Sequence, residues 1–181
     1  MKLFFVSDLH GSLPATELVL EKYNASGANY LVILGDVLNH GPRNPVPPGY
    51  QPAAVAQLLN NYSDEILAVR GNCDSEVDQM LLNFPMLETY SWILLENGTR
   101  IFLTHGHIYN SDNRPSLKAG DVLAYGHTHI PVAEQNGDQF IYNPGSITFP
   151  KGGYVASYGV FENGTFKVLS FSDEVLKQVN I

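Results

Sequence analysis

Short apolar runs alternate with amphipathic stretches through the first half of the chain. Three runs are short enough to be buried strands: Leu3–Val6, Tyr30–Leu34 and Ile66–Val69. Apolar side chains recur at helical spacing in three further stretches: Ala15–Tyr23, Ala54–Tyr62 and Glu76–Leu82. Because strands that alternate with helices usually pair in parallel through right-handed connections, the first half predicts a parallel sheet.

The second half has a different pattern, in which Asn-Gly pairs separate β-prone runs. The three pairs are Asn97-Gly98, Asn136-Gly137 and Asn163-Gly164. An Asn-Gly pair supplies positive φ at both positions of a type I′ turn, so each pair predicts a β-hairpin. We therefore expect a largely antiparallel second half, and an α/β sandwich of two sheets in all.

Polar motifs follow five of the predicted strands, at the point where each strand ends. They are Ser7-Asp8-Leu9-His10-Gly11, Gly35-Asp36, Gly71-Asn72-Cys73-Asp74, Thr104-His105-Gly106-His107 and Gly126-His127-Thr128-His129. The carboxyl ends of parallel strands meet at one edge of a sheet, where ligands bind. A single Asp-x-His or His-x-His would be weak support for a metal site, but five such motifs in this order predict one.

The donor atoms in these motifs are nitrogen and oxygen, with no thiolate required. Such a set suits manganese, iron, nickel, cobalt or zinc, and it is too rich in nitrogen for calcium or magnesium alone. Seven donors are too many for one tetrahedral ion, but with one bridging carboxylate they can serve two ions. Two adjacent metal ions can clamp the in-line displacement at a phosphoryl group.

Composition narrows the range of partners. The length of 181 residues suits one domain, spanning residues 1–181, and the single cysteine rules out a disulfide within the chain and favours the cytoplasm. The net charge is −8 and the ten basic residues are scattered, so no nucleic-acid polymer is expected as a partner. No apolar run approaches the roughly 20 residues of a membrane span, and the N-terminal run is too short for a signal peptide.

The motifs D-L-H-G, G-D, G-N-C-D, T-H-G-H and G-H-T-H, in this order, resemble those of the calcineurin-like metallophosphoesterase superfamily. The resemblance is closer to the small bacterial YfcE-type phosphodiesterases, and it includes G-D-V-L-N-H-G-P-R-N at Gly35–Asn44 and N-P-G-S at Asn143–Ser146. The resemblance implies a four-layer αββα sandwich of two mixed sheets. It also implies hydrolysis of a phosphodiester by a metal-bridging hydroxide that attacks phosphorus.

The same resemblance implies two divalent ions per chain, usually manganese, and assigns ligands to each. Asp8, His10 and His129 would bind the first ion; Asn72, His105 and His127 would bind the second; Asp36 would bridge both. Two ions and two carboxylates leave the site locally positive, which suits a small anionic phosphate ester as the substrate.

Four further residues are candidates near the substrate. Cys73 stands where most of the superfamily has a histidine that is thought to protonate the leaving group or contact the phosphate; the alternative is a small packed thiol. His40 and Arg43, in the proline-rich loop Leu38–Pro52, could reach a substrate phosphate, although for Arg43 a position in a solvated loop is slightly favoured. His107 could orient a ligand or cap its loop.

Two other functions remain open from the sequence. One is a non-catalytic metal-site scaffold for protein partners, a role that the same fold has in the retromer subunit family. Ligand positions tend to be eroded there, whereas all seven are intact here, so an enzyme is favoured. The other is a metal-dependent hydrolase that acts on non-phosphate bonds. The apolar C-terminal strands could also pair between subunits and form a homo-oligomer.

Overall fold

A computed structural model describes all of residues 1–181 and contains eleven strands and three helices. The helices are α1 (Leu13–Ser26), α2 (Pro52–Asn60) and α3 (Glu76–Gln79). The first six strands are β1 (Leu3–Val6), β2 (Tyr30–Ile33), β3 (Ile66–Ala68), β4 (Tyr90–Leu94), β5 (Arg100–Thr104) and β6 (Val122–Ala124). The remaining strands are β7 (Val132–Asn136), β8 (Gln139–Asn143), β9 (Ser157–Glu162), β10 (Thr165–Ser170) and β11 (Val175–Asn180).

The first sheet has six strands in the order β11-β10-β9-β1-β2-β3. β1, β2 and β3 are parallel, which confirms the arrangement predicted for the first half. The hairpin strands β9 and β10 and the C-terminal β11 extend this sheet with antiparallel pairs on the other side of β1. Helices α1 and α2 cover its outer face, where Phe4, Val19 and Leu59 are fully buried in one apolar cluster.

The second sheet has five strands in the order β4-β5-β6-β8-β7. Its centre is parallel and its two edges are antiparallel, so the second half is less antiparallel than predicted. The two sheets pack face to face over a second apolar cluster that includes Phe5, Leu103 and Tyr142. The predicted α/β fold with two mixed sheets is confirmed.

The outer face of the second sheet is covered by irregular chain, where the αββα pattern would place helices. Tyr109 packs there against Phe102 of β5, and Leu117 packs against the same apolar cluster. The local sequence explains the absence of a helix, because the side-chain oxygen of Asn110 accepts the backbone N–H groups of Asp112 and Asn113. Such local bonds compete with helical hydrogen bonding.

The three predicted hairpins form, but only one has the predicted turn. Asn163 and Gly164 have φ of 50° and 75°, as a type I′ turn requires. Asn136 pairs with Gln139, so the turn there is shifted to residues 137–138 and has positive φ only at Gly137. Asn97 also lacks positive φ and lies in a longer loop. The type I′ prediction is therefore wrong at these two sites, because the strand register decides which residues occupy the turn.

Candidate metal centre

The ends of β1 and of the second sheet bring three of the predicted donors into a first group. Asp8 follows β1, and its Oδ1 atom lies 3.1 Å from Nε2 of His129 and 3.7 Å from Nε2 of His10. All three side chains are buried, and their donor atoms lie within 4.8 Å of one another. That separation lets a single ion contact all three.

A second group of donors lies beside the first. Nε2 of His105, after β5, lies 3.2 Å from Oδ1 of Asn72 and 3.3 Å from Nδ1 of His127. His105 is fully buried, whereas Asn72 is exposed and His127 half-buried. This group therefore faces the surface of the molecule.

Asp36, at the end of β2, lies between the two groups. Its Oδ2 atom is 3.8 Å from Nε2 of His10 and 3.4 Å from Nε2 of His105. Its other oxygen, Oδ1, accepts the backbone N–H of Cys73 at 2.8 Å. One carboxylate oxygen of Asp36 is thus fixed by the protein, and the other faces both groups.

Backbone carbonyls fix three of the histidine rings. The Nδ1 atoms lie within hydrogen-bond distance of Asn39 O for His10 (2.9 Å), Leu34 O for His105 (2.7 Å) and Phe149 O for His129 (2.6 Å). A carbonyl can only accept, so each Nδ1 carries a proton and donates it, and in its neutral form each ring has its Nε2 lone pair free for the site. Metal-binding histidines are commonly oriented in this way.

Two atoms at the centre of the first group have no hydrogen-bond partner. Oδ1 of Asp8 and Nε2 of His10 are both buried and unsatisfied. The second oxygen of Asp8, Oδ2, is satisfied by the Ser7 hydroxyl at 2.7 Å and by the backbone N–H of His127 at 3.0 Å. Buried polar atoms without partners are rare in native proteins and require an explanation. A divalent cation fits these orphaned donors and the mixed nitrogen and oxygen set around them.

Left-handed backbone is concentrated at the candidate ligands. Only seven non-glycine residues have positive φ, and five of them are candidate ligands: Asp8, His10, Asp36, His127 and His129. Residues in this region store strain of about 1–3 kcal/mol each, and they persist where the surrounding structure holds them. All five positions lie in the segments that follow the ends of β1, β2 and β6.

The pKa values reflect the crowding of charge in the site. Burial alone would lower the pKa of His105, but the adjacent Asp36 carboxylate and the charge of Asp8 raise it to about 9. Burial alone would raise the pKa of Asp8, but His10 and His129 hold it well below its usual range. Burial and the neighbouring His105 lower the pKa of His127. The buried carboxylates therefore favour positive charge inside the site.

Asp74 holds two of the strand-end loops together and was not predicted to have a role. Its carboxylate accepts backbone N–H groups from Asp36 and Val37, both at 2.8 Å, and from Gly71 at 2.7 Å. Burial and the charge of Asp36 raise its pKa to about 6, against the hydrogen bonds from Val37 and Gly71. Asp74 is part of the G-N-C-D motif, but the sequence alone does not show that its side chain points inward.

The N-P-G-S segment positions two more of the motifs, a role that the sequence analysis did not assign. Nδ2 of Asn143 donates to the Gly126 carbonyl at 2.8 Å. The Ser146 hydroxyl donates to the Asp8 carbonyl at 3.1 Å, and the Thr148 hydroxyl donates to the Leu9 carbonyl at 2.7 Å. The loops that carry Asp8 and His127 are thus tied to the end of β8.

Two cavities open beside the centre, and both include Asn72 in their lining. The first has a volume of about 440 Å³, and its lining includes Asp36, Arg43, Cys73 and Lys151. The second has a volume of about 330 Å³ and is lined by Arg70, Gly71, Asn72, Thr89, His107 and Ile108. A further cavity of about 510 Å³, between α1 and the β9–β10 hairpin, contains none of the candidate ligands.

The residues predicted to lie near the substrate differ in which cavity, if any, they line. Arg43 and Cys73 line the first cavity, and His107 lines the second. His40 packs edge-on against Tyr50, with ring centroids 5.2 Å apart, and lines neither cavity. Lys151 and Arg70 were missed by the sequence analysis, because isolated basic residues in loops carry no pattern that marks a site.

Comparisons with known proteins place these features in a family. A model of the calcineurin-like phosphoesterase superfamily domain matches residues 1–165. The chain is 58% identical over 182 aligned residues to the phosphodiesterase YfcE of Escherichia coli, covering 100% of this chain and 98% of that protein. A solved structure of the E. coli phosphoesterase matches with a TM-score of 0.98, 57% identity and full coverage of both chains.

A more distant match is to a protein of the retromer subunit family, which was named above for the non-catalytic scaffold. Wild-type Vps29 from Entamoeba histolytica, in complex with Zn²⁺, matches with a TM-score of 0.65 and covers 99% of each chain. The identity is only 19%, so this likeness shows a shared fold and nothing about function.

Proposed function

The chain belongs to the calcineurin-like phosphoesterase superfamily, and we propose that it hydrolyses phosphodiesters with two divalent metal ions held by its seven clustered donors. The enzyme class predicted from the sequence, a metal-dependent phosphodiesterase, agrees with the family and with the E. coli relative. The observation that carries the two-ion proposal is the position of Asp36, whose Oδ2 atom faces a group of donors on each side.

The proposed ligands follow the two groups described above. Asp8, His10 and His129 would hold one ion; Asn72, His105 and His127 would hold the other; Asp36 would contact both. The orphaned Asp8 Oδ1 and His10 Nε2 support the first set, and the convergence of donors on His105 Nε2 supports the second. We propose manganese as the metal, because the mixed donor set suits it and the family resemblance implies it.

When bound, such ions would polarise the phosphoryl oxygens and lower the pKa of an attacking water. The chain's own contribution is to place and orient the proposed metal ligands and the substrate. The N–H of Cys73 fixes one oxygen of Asp36, and three backbone carbonyls fix the tautomers of the histidines. Arg43 and Lys151 present cations on the wall of the first cavity, where a substrate phosphate could bind. No observation favours a non-catalytic scaffold or a hydrolase that acts on other bonds.

Addition of manganese should raise the melting temperature of the metal-free protein. An ion that binds only the native state stabilises it by about 2.7 kcal/mol at a concentration 100-fold above its dissociation constant. For a chain of this size that corresponds to a rise of roughly 5–10 °C. The measurement is a thermal melt across a manganese titration, with reversal by a chelator. A melting curve that does not move would show that the orphaned donors bind no ion.

Cys73 should make the rate depend strongly on the leaving group. Burial and the Asp36 carboxylate raise the pKa of its thiol well above the usual range, which makes it a poor proton donor. We therefore expect aryl phosphodiesters to be cleaved far faster than alkyl ones. Cys73→His should narrow that gap, because an imidazole can donate a proton near neutral pH.

The matched control for that experiment is Cys73→Ala. This variant should hydrolyse aryl substrates at nearly the unmodified rate, because their leaving groups depart without a proton. If it instead abolishes aryl diesterase activity while both ions remain bound, Cys73 takes a direct part in the chemistry and our account of it is wrong.

A further inference from the structure

We propose that the two cavities beside the candidate centre take the two arms of the phosphodiester, and that the cavity with Arg43 and Lys151 selects an arm that carries a second anionic group. The inference rests on the proposed function and names its substrate class. The second group would be a phosphate or a carboxylate, since both present oxygens that these cations bind.

The positions of the cavities support a substrate with two arms. Both include Asn72 in their lining, and the first also includes Asp36 and His127, so it reaches the candidate centre directly. A phosphodiester bound at the centre has one ester arm on each side of phosphorus. A monoester would leave one of the two cavities without an occupant.

The two cavities differ in their free charge. Arg43 and Lys151 are both exposed, and neither has a carboxylate partner among the ion pairs of the structure. Arg70, the cation of the second cavity, is already engaged by the Asp74 carbonyl at 3.2 Å and by Glu76 at 3.4 Å. Free positive charge is therefore concentrated in the first cavity.

The backbone holds both free cations at the first cavity. The N–H of Lys151 donates to the carbonyl of the candidate ligand His129 at 3.1 Å. On the loop of Arg43, Asn44 donates from its backbone N–H to the Gly41 carbonyl at 3.3 Å and from its side chain to the His40 carbonyl at 2.9 Å. These bonds anchor the segments on which the two cationic side chains stand.

The lining of the first cavity also argues against the main alternative for an arm, which is recognition of an apolar or aromatic group. Pro42 and Cys73 are the only apolar side chains of that lining, and the only ring of a histidine or aromatic residue there is His127. His127 is assigned to the metal centre, so the cavity offers no free aromatic face on which a base or an aryl group could stack. The forked donors of arginine and the ammonium of lysine instead suit an anion.

Two chromogenic esters that differ only in the second anion test the proposal. The first is thymidine 5′-(p-nitrophenyl) phosphate, and the second is the same ester with a phosphate on its 3′ oxygen. Hydrolysis forms a bond from the water oxygen to phosphorus and breaks the bond to the p-nitrophenolate, while the proton from water goes to solvent. We expect the manganese-loaded protein to show a KM about tenfold lower for the 3′-phosphorylated ester.

The double variant Arg43→Gln, Lys151→Met should lose that preference, so that the two esters have equal KM values. Lys118→Met, which removes an exposed lysine that lines neither cavity, should keep it. Arg70→Gln should change both KM values together and leave their ratio intact. Added salt should shrink the preference of the unmodified protein, because the two cations are exposed to solvent.

The outcomes separate this inference from the proposed function. Failure of the metal-loaded protein to cleave either ester would overturn the proposed function. Cleavage of both esters with equal KM values would leave the proposed function standing and overturn the inference. A preference that survives in the double variant would overturn the assignment to Arg43 and Lys151.

Discussion

Asp36→Asn should empty the candidate centre and lower phosphodiester hydrolysis by well over 100-fold. Replacement of residues that merely orient metal ligands costs about 10–100-fold in affinity or activity, and Asp36 faces both groups of donors itself. An amide would keep the size of the side chain but remove the charge that both ions share. Metal content, measured by mass spectrometry, and turnover with an aryl phosphodiester should fall together.

Two comparisons make the Asp36 experiment specific. Asp138→Asn changes an exposed carboxylate whose side chain has no part in the site, and it should bind metal and turn over normally. His129→Ala removes a donor of only one group and should leave one ion bound. If Asp36→Asn retains both ions and a near-normal rate, Asp36 is not a bridging ligand.

Asp74→Ala should destabilise the protein more than the loss of an ordinary buried hydrogen bond. The substitution leaves the backbone N–H groups of Asp36, Val37 and Gly71 without their acceptor. Each buried group left unsatisfied costs about 1–3 kcal/mol, so we expect a loss of about 3 kcal/mol or more in the free energy of unfolding. Urea denaturation of the metal-free protein measures this directly and separates it from any loss of metal.

Two further variants serve as comparisons for Asp74→Ala, namely Asp74→Asn and Asp64→Ala. The amide oxygen of Asn can still accept some of these N–H groups. The free energy of unfolding of that variant should therefore lie between those of the unmodified protein and Asp74→Ala. Asp64 is exposed and its side chain makes no hydrogen bond, so its loss should cost little. If Asp74→Ala unfolds at the same urea concentration as Asp64→Ala, the three N–H groups find other partners and Asp74 is not needed to tie the loops.

Much of the fold could be predicted from the sequence because its signals are local. The run Leu3–Val6 is a strand with the predicted bounds, and the order of strands and helices in the first half produces the parallel pairs of β1, β2 and β3. The grouping of the candidate ligands was also predictable, since each one follows a strand whose carboxyl end reaches the same rim.

The features that were missed depend on contacts between distant parts of the chain. Asp74 accepts from Asp36 and Val37 across more than thirty residues, and no local pattern encodes that contact. Lys151 reaches the first cavity because its loop bonds to the end of the second sheet at His129. The shifted turn beside Asn136 follows from strand register, which buried side chains such as Ala133 and Tyr142 help to set.

At the five candidate ligands with left-handed backbone, the side chain that would bind metal also strains the backbone and lowers stability. Glycine adopts this backbone at little steric cost, so a lineage that no longer needed the metal could exchange Asp8 or His127 for glycine and relieve strain. Loss of the metal donors would then raise the free energy of unfolding, and their restoration would lower it. Glycine at any of these positions would therefore relieve strain and remove a candidate metal donor at the same time.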